Sequence, residues 1–133
     1  MILILEDDAD RVRRFQGALA RIAPLIPSRV WRDAHAMIRE LDEHLPSAAL
    51  ISLDHDLAAP PNHDPGDGLD VVRFLVSRPM VRPVIVHSSN GERSRIMLGE
   101  LELARWPSVR VAPFGDSWIE DDWSATVAGL IRT

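Results

Sequence analysis

The sequence predicts a doubly wound α/β fold, a five-stranded parallel sheet between two layers of helices, residues 1–133 forming one unit. Three observations lead there. Short apolar runs, among them Met1–Leu5, Ala49–Leu53 and Val84–Val86, alternate with segments whose apolar residues recur at helical spacing. Each of these three runs stops abruptly at ionisable or hydroxyl residues, as a buried strand does where it emerges at its carboxyl edge. All ten prolines fall at element ends or in connections, where they interrupt neither a helix nor a ladder. Short connections between alternating strands and helices imply right-handed crossovers.

Taken in order, Met1–Leu5 is the first strand, and Glu6-Asp7-Asp8 opens a loop in which Asp8 or Asp10 can cap the next helix. That helix carries Val12, Phe15, Leu19 and Ile22 on one face and ends before Pro24 and Pro27. Ser28–Trp31 reads as a short second strand. Asp33 then caps a helix bearing Met37, Ile38 and Leu41, which Pro46 closes. Ala49–Leu53 is the central strand, running on into Asp54-His55-Asp56-Leu57. The loop Ala58–Asp67 has a length that usually carries function. Gly68 leads into a helix with Leu69, Val72, Leu75 and Val76. Val84–Val86 is the fourth strand, and Asn90 caps a helix through Ile96, Met97 and Leu101. Val109–Ala112 is the fifth strand. Ser117 followed by Glu120 has the form of a capping box for a last helix bearing Ile119, Trp123, Val127 and Leu130.

Composition narrows the function. With 15 basic and 20 acidic residues the net charge is -5, which gives no general attraction to polyanions or membrane surfaces. A small phosphorylated ligand remains compatible with that balance. The absence of cysteine excludes disulfides, thiolate ligands and a cysteine nucleophile. No apolar stretch approaches the roughly 20 residues of a membrane span, and no basic leader precedes Ile2–Leu5, so the expected location is the cytoplasm.

In open α/β sheets ligands bind at the carboxyl edge. There Asp7, Asp8, Asp54 and Asp56 can converge if the first and third strands are neighbours. Like charges so placed raise one another's pKa, and a hard cation such as Mg²⁺ or Mn²⁺ relieves the repulsion. Alternation puts Asp54 and Asp56 on one side of the strand and His55 on the other. His55 and His87, each at a strand end, are candidates for proton transfer near neutral pH, His87 the stronger. Ser88, Ser89 and Asn90 precede a helix whose free N–H groups suit a phosphate. His35, His44 and His63 read as structural, Asp10 and Asp33 as caps or ion-pair partners, and Trp31, Trp106, Trp118 and Trp123 as core or rim.

These positions together resemble the receiver (flavodoxin-like) domain of response regulators over nearly the whole chain. The resemblance implies Mg²⁺ binding at an acidic pair, here Asp7-Asp8, with Asp54 as phosphoryl acceptor. Receivers carry a Lys before a Pro at the end of the fifth strand; here Ala112 precedes Pro113. A closer resemblance is to the receiver-derived cyclic-phosphate processing domains, through Asp7-Asp8, Asp54-His55-Asp56-Leu57, Asp67-Gly68 and His87-Ser88-Ser89-Asn90. It implies metal-dependent action on cyclic phosphates, of nucleotides or RNA ends. The competing expectation is a non-enzymatic receiver module that signals through a protein partner, and the third is a scaffold that keeps its acids for structure.

Overall fold

The computed structural model describes residues 1–132. Five strands, β1 (Ile2–Leu5), β2 (Ser28–Trp31), β3 (Leu50–Leu53), β4 (Val84–Val86) and β5 (Ser108–Arg110), form one sheet in the order β2-β1-β3-β4-β5. Every pairing is parallel, and β3 lies at the centre. The helices are α1 (Ala9–Ile22), α2 (Ala34–His44), α3 (Gly68–Val76), α4 (Gly91–Leu103) and α5 (Ser124–Ile131). No described helix is long and apolar enough to cross a membrane.

Strand alternation divides the core into two layers. Leu3, Leu5, Ile51, Leu53, Val84 and Val86 pack with Met37, Leu41, Leu75, Met97 and Leu101 of α2, α3 and α4. Ile2, Ile4, Leu50 and Ile85 face the other way, onto Phe15, Leu19, Ile119, Trp123 and Val127. Phe15 and Trp123 are fully buried with their rings 4.4 Å apart. Burial of a side chain of this size contributes about 1.5–3 kcal/mol against the exposed state. Both sheet faces are covered, which is why the strands read as continuous apolar runs.

Local signals set the helix starts. The Asp8 carboxylate accepts the Arg11 N–H at 3.0 Å, Asp33 that of Ala36 at 2.8 Å, and Asn90 Oδ1 that of Arg93 at 3.0 Å. At α3 the Asp67 and Asp70 side chains exchange bonds with each other's backbone N–H, a capping box. The chain end departs from expectation. Glu120 makes no box with Ser117, because Arg14 of α1 takes both its oxygens at 2.8 and 3.0 Å. Ser117 donates instead to Asp121, and Ile119–Trp123 winds as a π-helical turn before α5. Trp123 and Ile119 are nonetheless buried, as their spacing requires.

Candidate functional site

The parallel register builds the site. Leu5 pairs with Leu53, and Leu53 with Val86. The next residues, Glu6, Asp54 and His87, therefore occupy one rung just beyond the strands. Backbone bonds continue the ladder there, from Asp54 N to Leu5 O at 3.1 Å and from His87 N to Leu53 O at 2.9 Å. By alternation these residues follow Ile4, Ser52 and Ile85 onto the α1/α5 face. Each offers a ligand atom, and these atoms lie within 4.8 Å of one another. Glu6 and His87 are fully buried and Asp54 nearly so.

A hydrogen-bond chain holds the rung. Trp123 Nε1–H donates to Ser52 Oγ at 3.0 Å, which leaves the serine hydroxyl to meet His87 Nδ1 at 2.7 Å. His87 Nε2–H then donates to Glu6 Oε1 at 3.1 Å. Glu6 Oε2 accepts the backbone N–H groups of Asp7 and Asp8, each at 3.1 Å. This assignment gives both ring nitrogens of a buried imidazole a partner, as burial demands. Arg11, reaching across from α1, brings its guanidinium to 3.6 Å from Glu6 and 3.9 Å from Asp54.

The two carboxyls are driven apart in acidity. Burial pushes Asp54 up to about 6, and the Glu6 charge adds to it, while His87, the His55 N–H and Arg11 pull back. Burial works against the Glu6 carboxylate too. The hydrogen bond from His87, its charge when protonated, the Asp8 N–H and Arg11 outweigh that and hold Glu6 below its ordinary range. Two buried acids beside an imidazole suit a divalent cation, which would replace proton and guanidinium as the counter-charge. A second such cluster, Glu40, Glu43 and His44, lies on α2, but Arg29 and Trp31 already engage both Glu40 oxygens.

The other sequence candidates distribute around this centre. Asp8 spends one oxygen on the α1 cap, and Asp7 at the rim accepts the Ala58 N–H. His55 lies on the opposite side of the strand end, its Nδ1 2.7 Å from Asp56 and its Nε2 3.5 Å from Asp67. Asp56 is exposed and receives Asn90 Nδ2 at 3.3 Å, so Asp56 links the loop after β3 to the start of α4. Ser88 is buried and its Oγ accepts the Asn90 N–H at 3.0 Å; Ser89 is exposed. His63 pairs with Asp33. Gly68 is required where it stands: a Cβ there would lie 2.0 Å from the Asp54 carbonyl oxygen, and its N–H donates to His55 O at 3.0 Å. Gly66 turns the chain at φ +69°, a conformation other residues rarely adopt.

Reading the acids as a set missed Glu6, Arg11, Ser52 and Trp123. Glu6 carried a signal all the same, since it continues the Ile2, Ile4 alternation onto one face. Arg11 carried a weaker one, a cation at the positive end of a helix.

A doubly wound five-stranded sheet with buried acids at the carboxyl edge of β1 and β3 defines a receiver-type domain. The chain belongs to the cyclic-phosphate processing receiver domain family, whose model matches residues 1–103. No curated protein sequence matches it. Among solved structures it is similar to a response regulator receiver domain from Rhodospirillum rubrum, at 15% identity and TM-score 0.68, covering 96% of this chain and 89% of that one. It is also similar to the phosphorylated cyanobacterial phytochrome response regulator RcpA, at 23% identity and TM-score 0.63, covering 97% and 89%. A third is the Mn²⁺-bound response regulator Rcp1, at 20% identity and TM-score 0.62, covering 97% and 89%. Such identities speak for the fold.

Proposed function

We propose that this receiver domain hydrolyses a cyclic phosphate, of a nucleotide or an RNA end, with Mg²⁺ or Mn²⁺ held by Glu6 and Asp54 and with Asp7 at the rim. The observation that carries the reading is the single rung on which two buried carboxylates and an imidazole converge. Family membership and the Mn²⁺ in the Rcp1 structure support it. When bound, the cation supplies a hydroxide at neutral pH and neutralises charge growing on the phosphoryl oxygens.

The reaction adds hydroxide to phosphorus, breaks one ring P–O bond and delivers a proton to the leaving alkoxide, giving a phosphomonoester. His87 is enclosed and touches only Ser52 and Glu6 with its nitrogens. In this reading it passes a proton outward by way of Glu6 Oε1, and it fixes that carboxylate in place. Asn90, beside exposed Ser89 at the start of α4, offers an amide to the phosphate, as the free N–H groups of a helix end also do.

The second reading is a receiver module in which Asp54 accepts a phosphoryl group and a protein partner reads the change. It is favoured by the place of Asp54 at the end of the central strand and by exposed Phe114 beyond β5. Ala112, where receivers carry Lys, weighs against it. The deciding experiment incubates purified protein with nucleoside 2′,3′-cyclic phosphates and Mn²⁺, beside acetyl-phosphate labelling. Ring opening lost in Glu6→Gln and Asp54→Ala is the expected result. Labelling of Asp54 without ring opening would favour the receiver module, and neither signal would leave a scaffold.

A further inference from the structure

Arg11 occupies a place that helix formation does not explain. It lies in the first turn of α1, where the helix dipole disfavours a cation. Its guanidinium turns to the sheet edge and sits over the buried Trp118 ring, 5.4 Å from the centroid. At 3.6 Å from Glu6 and 3.9 Å from Asp54 it attracts both carboxylates, yet its side chain makes no hydrogen bond to any described residue. The side chain is 28% exposed. A guanidinium held by an aromatic face and by charge, with its N–H fork unused, is a receptor for a planar pair of oxyanion oxygens. At the end of β5, the Arg110 guanidinium already donates to the Ser88 carbonyl oxygen at 3.1 Å, and Ala112 beyond it carries no charge.

We propose that Arg11 is the phosphoryl-binding cation of this site and that it competes with the divalent ion for the Glu6–Asp54 pair. This deepens the reading above and rests on its site. The two functions have opposite signs: the guanidinium repels an incoming cation and attracts an incoming phosphate. Each ligand therefore meets Arg11 differently, and a merely structural arginine would not produce that contrast.

The test compares the wild-type protein with Arg11→Gln and Arg11→Lys by calorimetry, titrating Mn²⁺ alone, then inorganic phosphate with and without Mn²⁺. Thermal melts of each variant accompany the titrations. Arg11→Gln is expected to bind Mn²⁺ about 3- to 10-fold more tightly, because a like charge is gone. The same variant is expected to bind phosphate about 10-fold or more weakly. Arg11→Lys keeps the antagonism toward Mn²⁺ but regains only part of the phosphate affinity, as a point charge without the fork. Weakening of both ligands in Arg11→Gln, or no change in either, overturns the proposal. If the wild-type protein binds no Mn²⁺, the metal reading above falls, and the phosphate arm decides alone. Phosphate affinity lost with the arginine then sustains the phosphoryl-binding role while the competition falls with the metal, and phosphate affinity absent or unaltered overturns both.

Discussion

His87 Nε2 lies 3.1 Å from Glu6 Oε1, and neither side chain has any exposure to solvent. The pair joins β4 to β1 across the central strand, so each partner has to satisfy the other. Removing the imidazole leaves the buried Glu6 carboxylate short of a donor and opens a cavity. His87→Ala should therefore cost about 3–5 kcal/mol in urea unfolding. Glu6→Gln keeps an acceptor for Nε2–H and should cost much less. Equal losses in the two variants would contradict the assignment of this bond.

Asp54 predicts a pH dependence. Its carboxyl, normally at 3.8, is pushed up to about 6 by burial, so between those values the folded chain holds a proton that the unfolded chain has released. Stability from this group is therefore highest at low pH and falls as pH rises through that window. Asp54→Asn removes the buried charge and should stabilise the metal-free protein by about 1–3 kcal/mol near pH 7.5. The gain should fade below pH 6. Glu6 has the opposite sign, its contribution being lost as pH falls through its lowered pKa. Melting temperatures of both proteins from pH 4.5 to 8 check this.

Asp8 separates capping from metal binding. Its carboxylate accepts the Arg11 N–H, while Glu6 rather than Asp8 shares the rung with Asp54. Asp8→Ala should cost about 1 kcal/mol of stability through the lost cap. Its Mn²⁺ affinity, measured by calorimetry, should stay within a factor of two or so of wild type, since Asp8 is exposed, its charge screened by solvent, and it lies outside the rung. Glu6→Gln should lose that affinity.

Gly68→Ala should disturb the site from behind. The added Cβ would lie 2.0 Å from Asp54 O and 2.8 Å from the Met97 methyl. The methionine can move, but the carbonyl belongs to the backbone that carries Asp54 and His55. Overpacking of this kind costs about 1–3 kcal/mol. Urea unfolding and Mn²⁺ titration should both register the change, whereas Gly99→Ala, with open space around it, should register little.

Much of this architecture was legible because its causes are local. Val84–Val86 matches its strand because an apolar, β-branched run directly after a proline has few other ways to be buried, whereas Ser28–Trp31, half polar and at the sheet edge, buries only Trp31. Asp33 and Asn90 cap their helices through side-chain bonds that span only three residues. Asp54 was visible as a sheet-edge residue because a charge at the end of a buried strand must emerge there. The Ser117–Glu120 box was misread for the complementary reason. Its glutamate is captured by Arg14, a residue 106 positions away whose attraction no local pattern records.

By itself the sequence determined the β-α alternation, the caps at Asp33 and Asn90 and the edge of the sheet at which ionisable residues gather, since each depends on neighbours in the chain. Tertiary structure decided which acids meet. The strand order and the Leu5–Leu53–Val86 register bring Glu6 level with Asp54 and with His87, 81 residues distant, and turn Asp8 to the helix cap. Hydrogen bonding across a sheet depends on which strands are adjacent and in what register, and that follows from packing of the whole core rather than from the spacing of any one run.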